Sequence, residues 1–142
     1  MTHVRLLVPW LVAASAAIPL LLGLGHLLFT VSSTKLWPRD QDLQVRMRES
    51  SPRITRQTTM WEVWIGLNAT HSFGLILFGA VYGYLGWMRS DFLFDSVFLL
   101  SLGLLVLLGY ALVAKRYFFR FPFRAVLLAI LLYAGAVIAA WT

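Results

Sequence analysis

The sequence predicts an all-α integral membrane protein, a four-helix bundle with four transmembrane spans and both termini on the non-cytoplasmic side. Of its 142 residues 60% are hydrophobic and only 13% are charged, a balance that excludes an ordinary soluble domain. Long stretches without charge alternate with short basic segments, as in multi-pass membrane proteins. The length predicts a single transmembrane domain over residues 1–142. There is no cysteine, which excludes disulfides and thiolate chemistry.

The first span is predicted at about residues 8–31. No Asp, Glu, Lys or Arg occurs between Leu6 and Thr34, and 24 helical residues cross about 30 Å of hydrocarbon with a few to spare. Small and polar residues recur along one side of this helix, so that side is expected to face protein while the leucines face lipid. These residues are Ser15, Pro19, Gly23, His26 and Thr30.

A cytoplasmic loop at residues 35–58 is the one long polar segment, with six basic and three acidic residues. Asp40 is placed to cap a short helix in which Leu43 and Met47, four residues apart, lie in the membrane interface. Pro52 would end that helix. A disordered loop is the alternative.

The second span is predicted at residues 61–88, and Thr59 with Glu62 forms a capping-box pattern at its start. Because successive helical residues lie about 100° apart, one narrow face collects polar and aromatic side chains. This aromatic-polar face consists of Trp61, Trp64, Asn68, His71, Leu75, Phe78 and Tyr82. A strip of small residues beside it predicts a groove for close helix packing. The strip consists of Ser72, Gly79, Gly83 and Gly86.

Spans three and four are predicted at residues 92–114 and 125–141. The short turn at residues 89–91 makes spans two and three antiparallel neighbours. Asp91 and Asp95 are expected in the first turn of span three, near the positive end of the helix dipole. Between spans three and four, aromatic residues alternate with cations that are expected to meet anionic lipid headgroups, whereas nucleic acid is not an expected partner. The cations are Lys115, Arg116, Arg120 and Arg124.

The basic residues also predict the orientation. The loops after spans one and three hold ten basic residues, whereas the opposite side holds only Arg5 and Arg89. Cytoplasmic loops are enriched in Lys and Arg, so the long loop is expected in the cytoplasm.

Two histidines could share a pocket within the membrane. His26 and His71 lie at depths that differ by about 7 Å, and Asn68 and Trp64 precede His71 on the same face. Three interpretations are open. The polar side chains could form hydrogen bonds between helices, or the histidines could be axial ligands of haem or another tetrapyrrole. The third interpretation is catalysis on a lipid-like substrate, either with His71 as general base or with a metal held by Glu62 and the histidines. No catalytic residue and no metal site is assigned.

The run from Trp64 to Gly74 reads W-I-G-L-N-A-T-H-S-F-G. It resembles a motif of small bacterial four-helix integral membrane proteins of unknown function, W-x-G-(F/L)-N-x-(S/T)-H-S-x-G. The resemblance implies that these motif residues act as a unit, and it implies no activity.

Four spans in 142 residues leave little mass outside the membrane for catalysis or for binding soluble partners. The function expected is therefore that of a small non-catalytic subunit in a bacterial inner membrane. Its expected partners are the lipid bilayer and other membrane proteins or further copies of itself. A haem or pigment carrier that uses His26 or His71 is the first alternative, and a small membrane enzyme is the second.

Overall fold

A computed structural model describes residues 2–141, with side chains from Leu7 onward. Within that range the chain is all-α. Its six helices are α1 (Thr2–Ser32), α2 (Gln41–Glu49), α3 (Met60–Met88), α4 (Ser90–Asp95), α5 (Val97–Tyr117) and α6 (Arg120–Trp141). Among the described residues, four helical segments are long and apolar enough to span a membrane, namely Leu7–Ser32 of α1 and the whole of α3, α5 and α6. The predicted all-α class with four long apolar helices is confirmed.

The described residues form two compact units. Residues 2–22 and 75–141 make up the first unit, and Gly23–Gly74 makes up the second. Helices α1 and α3 each contribute to both units.

In the first unit, helices α1, α3, α5 and α6 pack around one apolar core, to which α4 adds Leu93. Two tyrosine hydroxyls tie α3 and α6 to the same turn of α5. Tyr82 donates to the carbonyl of Leu99 at 2.8 Å, and Tyr133 donates to the carbonyl of Leu100 at 3.1 Å. A buried hydroxyl needs such a partner, and each carbonyl has a second lone pair available for it.

The same unit also bonds α1 to α6. Ser15 Oγ donates to the carbonyl of Ala129 at 2.7 Å, and both groups are buried. The prediction that one side of α1 faces protein is confirmed, since Ser15, Pro19, Gly23 and Thr30 are buried and His26 is partly buried.

The second unit contains the end of α1, the loop with α2, and the start of α3. Asp40 Oδ1 accepts from the amides of Asp42 at 2.9 Å and Leu43 at 3.3 Å, so the predicted cap and short helix are confirmed. The helix ends at Glu49, three residues before Pro52. The amide of Met60 then donates to the carbonyl of Ser50 at 2.7 Å, which fastens the end of α2 to the start of α3.

The predicted capping box of α3 is also confirmed. The amide of Thr59 donates to Glu62 Oε2 at 2.8 Å, and the amide of Glu62 donates to Thr59 Oγ1 at 3.3 Å. Two orphan amides at the start of the helix are thereby satisfied.

The sequence predicts the third span as one helix that begins at residue 92, but the structure has two helices there, α4 and α5. The chain breaks at Ser96, whose Oγ accepts from the amide of Leu99 at 3.2 Å and so starts α5 as a separate helix. Asp91 lies in the first turn of α4, but Asp95 is the last residue of α4 and not in the first turn of the span. The polar hydroxyl of Ser96 caps a helix more favourably than it sits inside one.

The connection between the last two spans is shorter than the ten-residue segment 115–124, with its nine aromatic or basic residues, suggests. Helix α5 continues through Tyr117 and α6 begins at Arg120, so only two residues separate them. Tyr117, Phe119 and Phe121 are 76%, 72% and 65% exposed, as aromatic side chains at headgroup depth would be in the absence of lipid.

Candidate functional site

The second unit brings together His26 of α1 and Asn68 of α3. His26 Nε2 lies 3.0 Å from Asn68 Oδ1, while Asn68 Nδ2 donates to the carbonyl of Trp64 at 2.8 Å. With its amide nitrogen oriented to that carbonyl, Asn68 presents its oxygen, which can only accept, to the histidine. His26 therefore carries a proton on Nε2. The hydroxyl of Thr30, one turn along, donates to the carbonyl of His26 at 2.8 Å.

His71 packs against the same imidazole. The ring centroids of His26 and His71 are 5.2 Å apart and the rings are nearly perpendicular, at 79°. The sequence-based expectation that the two histidines share a pocket describes their positions correctly. The edge-to-face contact is the arrangement that aromatic rings favour.

This geometry bears on the haem interpretation. When two imidazoles hold one iron from opposite sides, each Fe–N bond is about 2 Å, which sets the ring centroids about 6 Å apart with the macrocycle between them. The rings of His26 and His71 are closer than this and touch directly. A haem could lie between them only if the two rings moved apart.

Trp64 enters the cluster through its backbone carbonyl. Its side chain is 39% exposed, whereas Leu75, Phe78 and Tyr82 of the same α3 face are 4%, 6% and 5% exposed. The aromatic-polar face is thus buried along one part of the helix and partly open along the other.

The strip of small residues packs against α1 of the same chain in the first unit. A Cβ added at Gly79 would lie 2.6 Å from Leu20 Cβ and 2.7 Å from the carbonyl of Ala16, and one added at Gly86 would lie 2.6 Å from Val12 Cβ. Gly83 has more room, 3.7 Å from Ala16 Cβ. Glycine is required where the two backbones approach this closely. The groove is therefore filled from within the chain.

Ser72, the remaining member of that strip, lies in the second unit and is fully buried. Its hydroxyl donates to the carbonyl of Asn68 at 2.9 Å. This bond uses the backbone carbonyl of Asn68, whereas the side-chain carboxamide of Asn68 meets His26.

The form of the enzyme interpretation in which Glu62 and the histidines hold a metal needs Glu62 near the histidines, but its carboxylate accepts hydrogen bonds at the start of α3. Oε2 accepts from Thr58 Oγ1 at 3.0 Å and from both the amide and the hydroxyl of Thr59. Among the described residues no three His, Cys, Asp or Glu side chains are grouped to hold a metal ion.

The sequence analysis missed a second polar feature of this unit. Arg48 of α2 lies over the ring of Trp61, and its guanidinium carbon is 4.8 Å from the ring centroid. The edge of Trp37 meets the same indole, with centroids 5.4 Å apart. The contact of Arg48 depends on how the loop returns to α3, and no local pattern reports it.

Comparison with known proteins leaves the chain without an assigned relative: no family model, no curated protein and no solved structure matches it.

Proposed function

We propose that this chain is a small, non-catalytic subunit that packs against other helices of a larger complex in a bacterial inner membrane. The observation that carries the proposal is the partly open section of the aromatic-polar face, where Trp64 is 39% exposed and the imidazole of His71 is only partly buried. A partner helix would cover this section.

The depth of these residues in α3 supports the proposal. Asn68 and His71 lie about 12 and 16 Å along the helix from Met60, at 1.5 Å per residue. Polar groups this far into a span are costly in contact with acyl chains, so they face protein, water or a bound molecule. Within the chain, His26 bonds to Asn68 and packs against the ring of His71.

The proposed partner surface differs from the groove that the sequence suggests. Gly79 and Gly86 are taken up by α1, so close packing there serves the fold of the chain itself. The section around Trp64 and His71 carries an indole and an imidazole that are both partly exposed.

The proposed orientation places residues 33–59 and the turn after α5 in the cytoplasm. Ten of the twelve basic residues lie on that side, and of the other two Arg5 lies outside the described side chains. The exposed cations at the junction of α5 and α6 would then face the anionic inner leaflet. They are Lys115, Arg116, Arg120 and Arg124.

Photo-crosslinking in native membranes tests the proposal. A benzophenone side chain replaces Trp64 in one variant and Leu77 in a matched control, since Leu77 is 66% exposed and lies about 140° around α3 from Trp64. We expect a discrete adduct with another membrane protein from position 64 and none from position 77.

Two other outcomes count against the proposal. An adduct of two copies of this chain as the sole product would replace the accessory subunit with a homo-oligomer. No protein adduct at position 64, together with a chain that is monomeric in mild detergent and isolates alone, would refute packing at this face.

A further inference from the structure

An open pocket of about 550 Å³ lies in the second unit, where the end of α1 meets the start of α3. Its polar lining comes from hydroxyls at the end of α1, two indoles and one guanidinium. The residues that matter here are Thr30, Ser32, Thr34, Trp37, Arg48 and Trp61. The pocket is separate from the histidine cluster, none of whose side chains lines it.

Arg48 brings a positive charge that no carboxylate among the described side chains neutralises. Its guanidinium rests on the face of Trp61 and pairs with no carboxylate of the described residues, whereas the neighbouring Arg46 lies 3.7 Å from Asp40. This cation–π contact uses none of the N–H donors of the guanidinium, and no described hydrogen bond engages them. A planar, bidentate donor of this kind matches two oxygens of a phosphate.

The backbone holds Arg48 in position without help from a ligand. Helix α2 is capped by Asp40 at one end, and the amide of Ser50 donates to the carbonyl of Arg46 at 2.9 Å at the other. The bond from Met60 to Ser50 then joins this end to α3, one residue before Trp61. A donor fixed in advance loses little conformational freedom when it binds.

The pocket's hydroxyls divide into two kinds. Thr30 Oγ1 already donates to the carbonyl of His26 at 2.8 Å. The side chains of Ser32 and Thr34 are exposed, and neither makes a described hydrogen bond within the chain. Both can therefore donate to an anion beside Arg48.

We propose that this pocket binds a phospholipid headgroup through its phosphate, with Arg48 as the main donor. The lipid is favoured as the source because the pocket lies at the ends of two candidate spans, Leu7–Ser32 and Met60–Met88, and is lined by two tryptophans of the kind found at the headgroup level. The surrounding loop at residues 35–58 holds six basic and three acidic residues, which favours an anionic ligand. The proposal stands independently of any partner protein.

Native mass spectrometry of the purified full chain in detergent tests the proposal. The probes are dioleoylphosphatidylglycerol, dioleoylglycerol, which has the same acyl chains but no phosphate, and inorganic phosphate. We expect wild type to bind the phospholipid about tenfold more tightly than the diacylglycerol, since hydrogen bonds between Arg48 and a charged phosphate contribute about that factor to the affinity. Inorganic phosphate at about 1 mM should not displace the phospholipid, because it lacks the acyl chains that add apolar contact.

The variants are Arg48→Gln and Arg48→Lys, with Arg56→Gln as a control of equal charge in the same loop but outside the pocket. We expect Arg48→Gln to weaken phospholipid binding about tenfold, Arg48→Lys to weaken it less, and Arg56→Gln to change it by less than about twofold. Equal binding by Arg48→Gln and Arg56→Gln, at similar melting temperatures, would overturn the proposal. Displacement of the lipid by inorganic phosphate would overturn the lipid assignment and indicate a soluble anion instead.

Discussion

Gly103 is the position at which a single methyl group should disrupt the first unit most. A Cβ there would lie 2.6 Å from Cε1 of Tyr82 and within reach of the hydroxyl of Tyr133. Both tyrosines are at least 95% buried, and both hydroxyls bond to the turn of α5 that contains Gly103. Gly103→Ala must therefore displace at least one ring from a packed core.

The cost combines three contributions. Overpacking a core costs about 1–3 kcal/mol, and each hydrogen bond lost between membrane helices costs about 0.6 kcal/mol. The better helix propensity of alanine returns about 0.5–1 kcal/mol. The net loss in the free energy of unfolding is about 2 kcal/mol, which for a chain of this length lowers the melting temperature by about 6–8 °C.

The assay is thermal unfolding of wild type and variants in one mild detergent. Gly109→Ala is the matched control, since it lies in the same helix and a Cβ there meets no atom within 4 Å. We expect Gly109→Ala to leave the melting temperature unchanged or slightly higher. If Gly103→Ala unfolds at the same temperature as Gly109→Ala, the tyrosines do not hold α5 in the way described.

Three further predictions concern the other contacts. His26→Leu leaves Asn68 Oδ1 without its donor and should reduce stability by about 1 kcal/mol in the same thermal assay; an unaltered melting temperature would show that the bond contributes nothing. Ser96→Ala removes the cap of α5 and should cost about 1 kcal/mol, with faster amide exchange at Leu99 than in a Ser101→Ala control. Protein purified from haem-replete cells should lack the Soret band of a bis-imidazole haem, because the rings of His26 and His71 touch; such a band, lost in His71→Leu, would contradict this.

Features that depend on neighbours along the chain could be predicted. The four spans follow from runs of apolar residues long enough to cross a bilayer. The predictions of the cap at Asp40 and of the capping box of Thr59 and Glu62 were correct, because a capping residue bonds to groups only two or three positions away in the sequence. The protein-facing side of α1 followed from helical periodicity alone.

The candidate site could be predicted only in part. Helical spacing and depth place His26, Asn68 and His71 near one another. Which of them pair, and that Asn68 bonds His26, depends on the rotation of two helices about their axes. Helix packing decides that rotation, for example at Gly79 and Gly86, where the lack of a side chain allows α1 to approach closely.

By itself, the sequence determined the all-α class, the four apolar spans and the short capped helix in the loop, because each results from local periodicity or hydropathy. The tertiary structure alone decided the tyrosine bonds beside Gly103 and the contact of Arg48 with the ring of Trp61. In a membrane, apolar side chains gain little by choosing protein over lipid, so hydropathy does not specify partners. Close fit and hydrogen bonds between distant residues make that choice, and these exist only once the helices are packed.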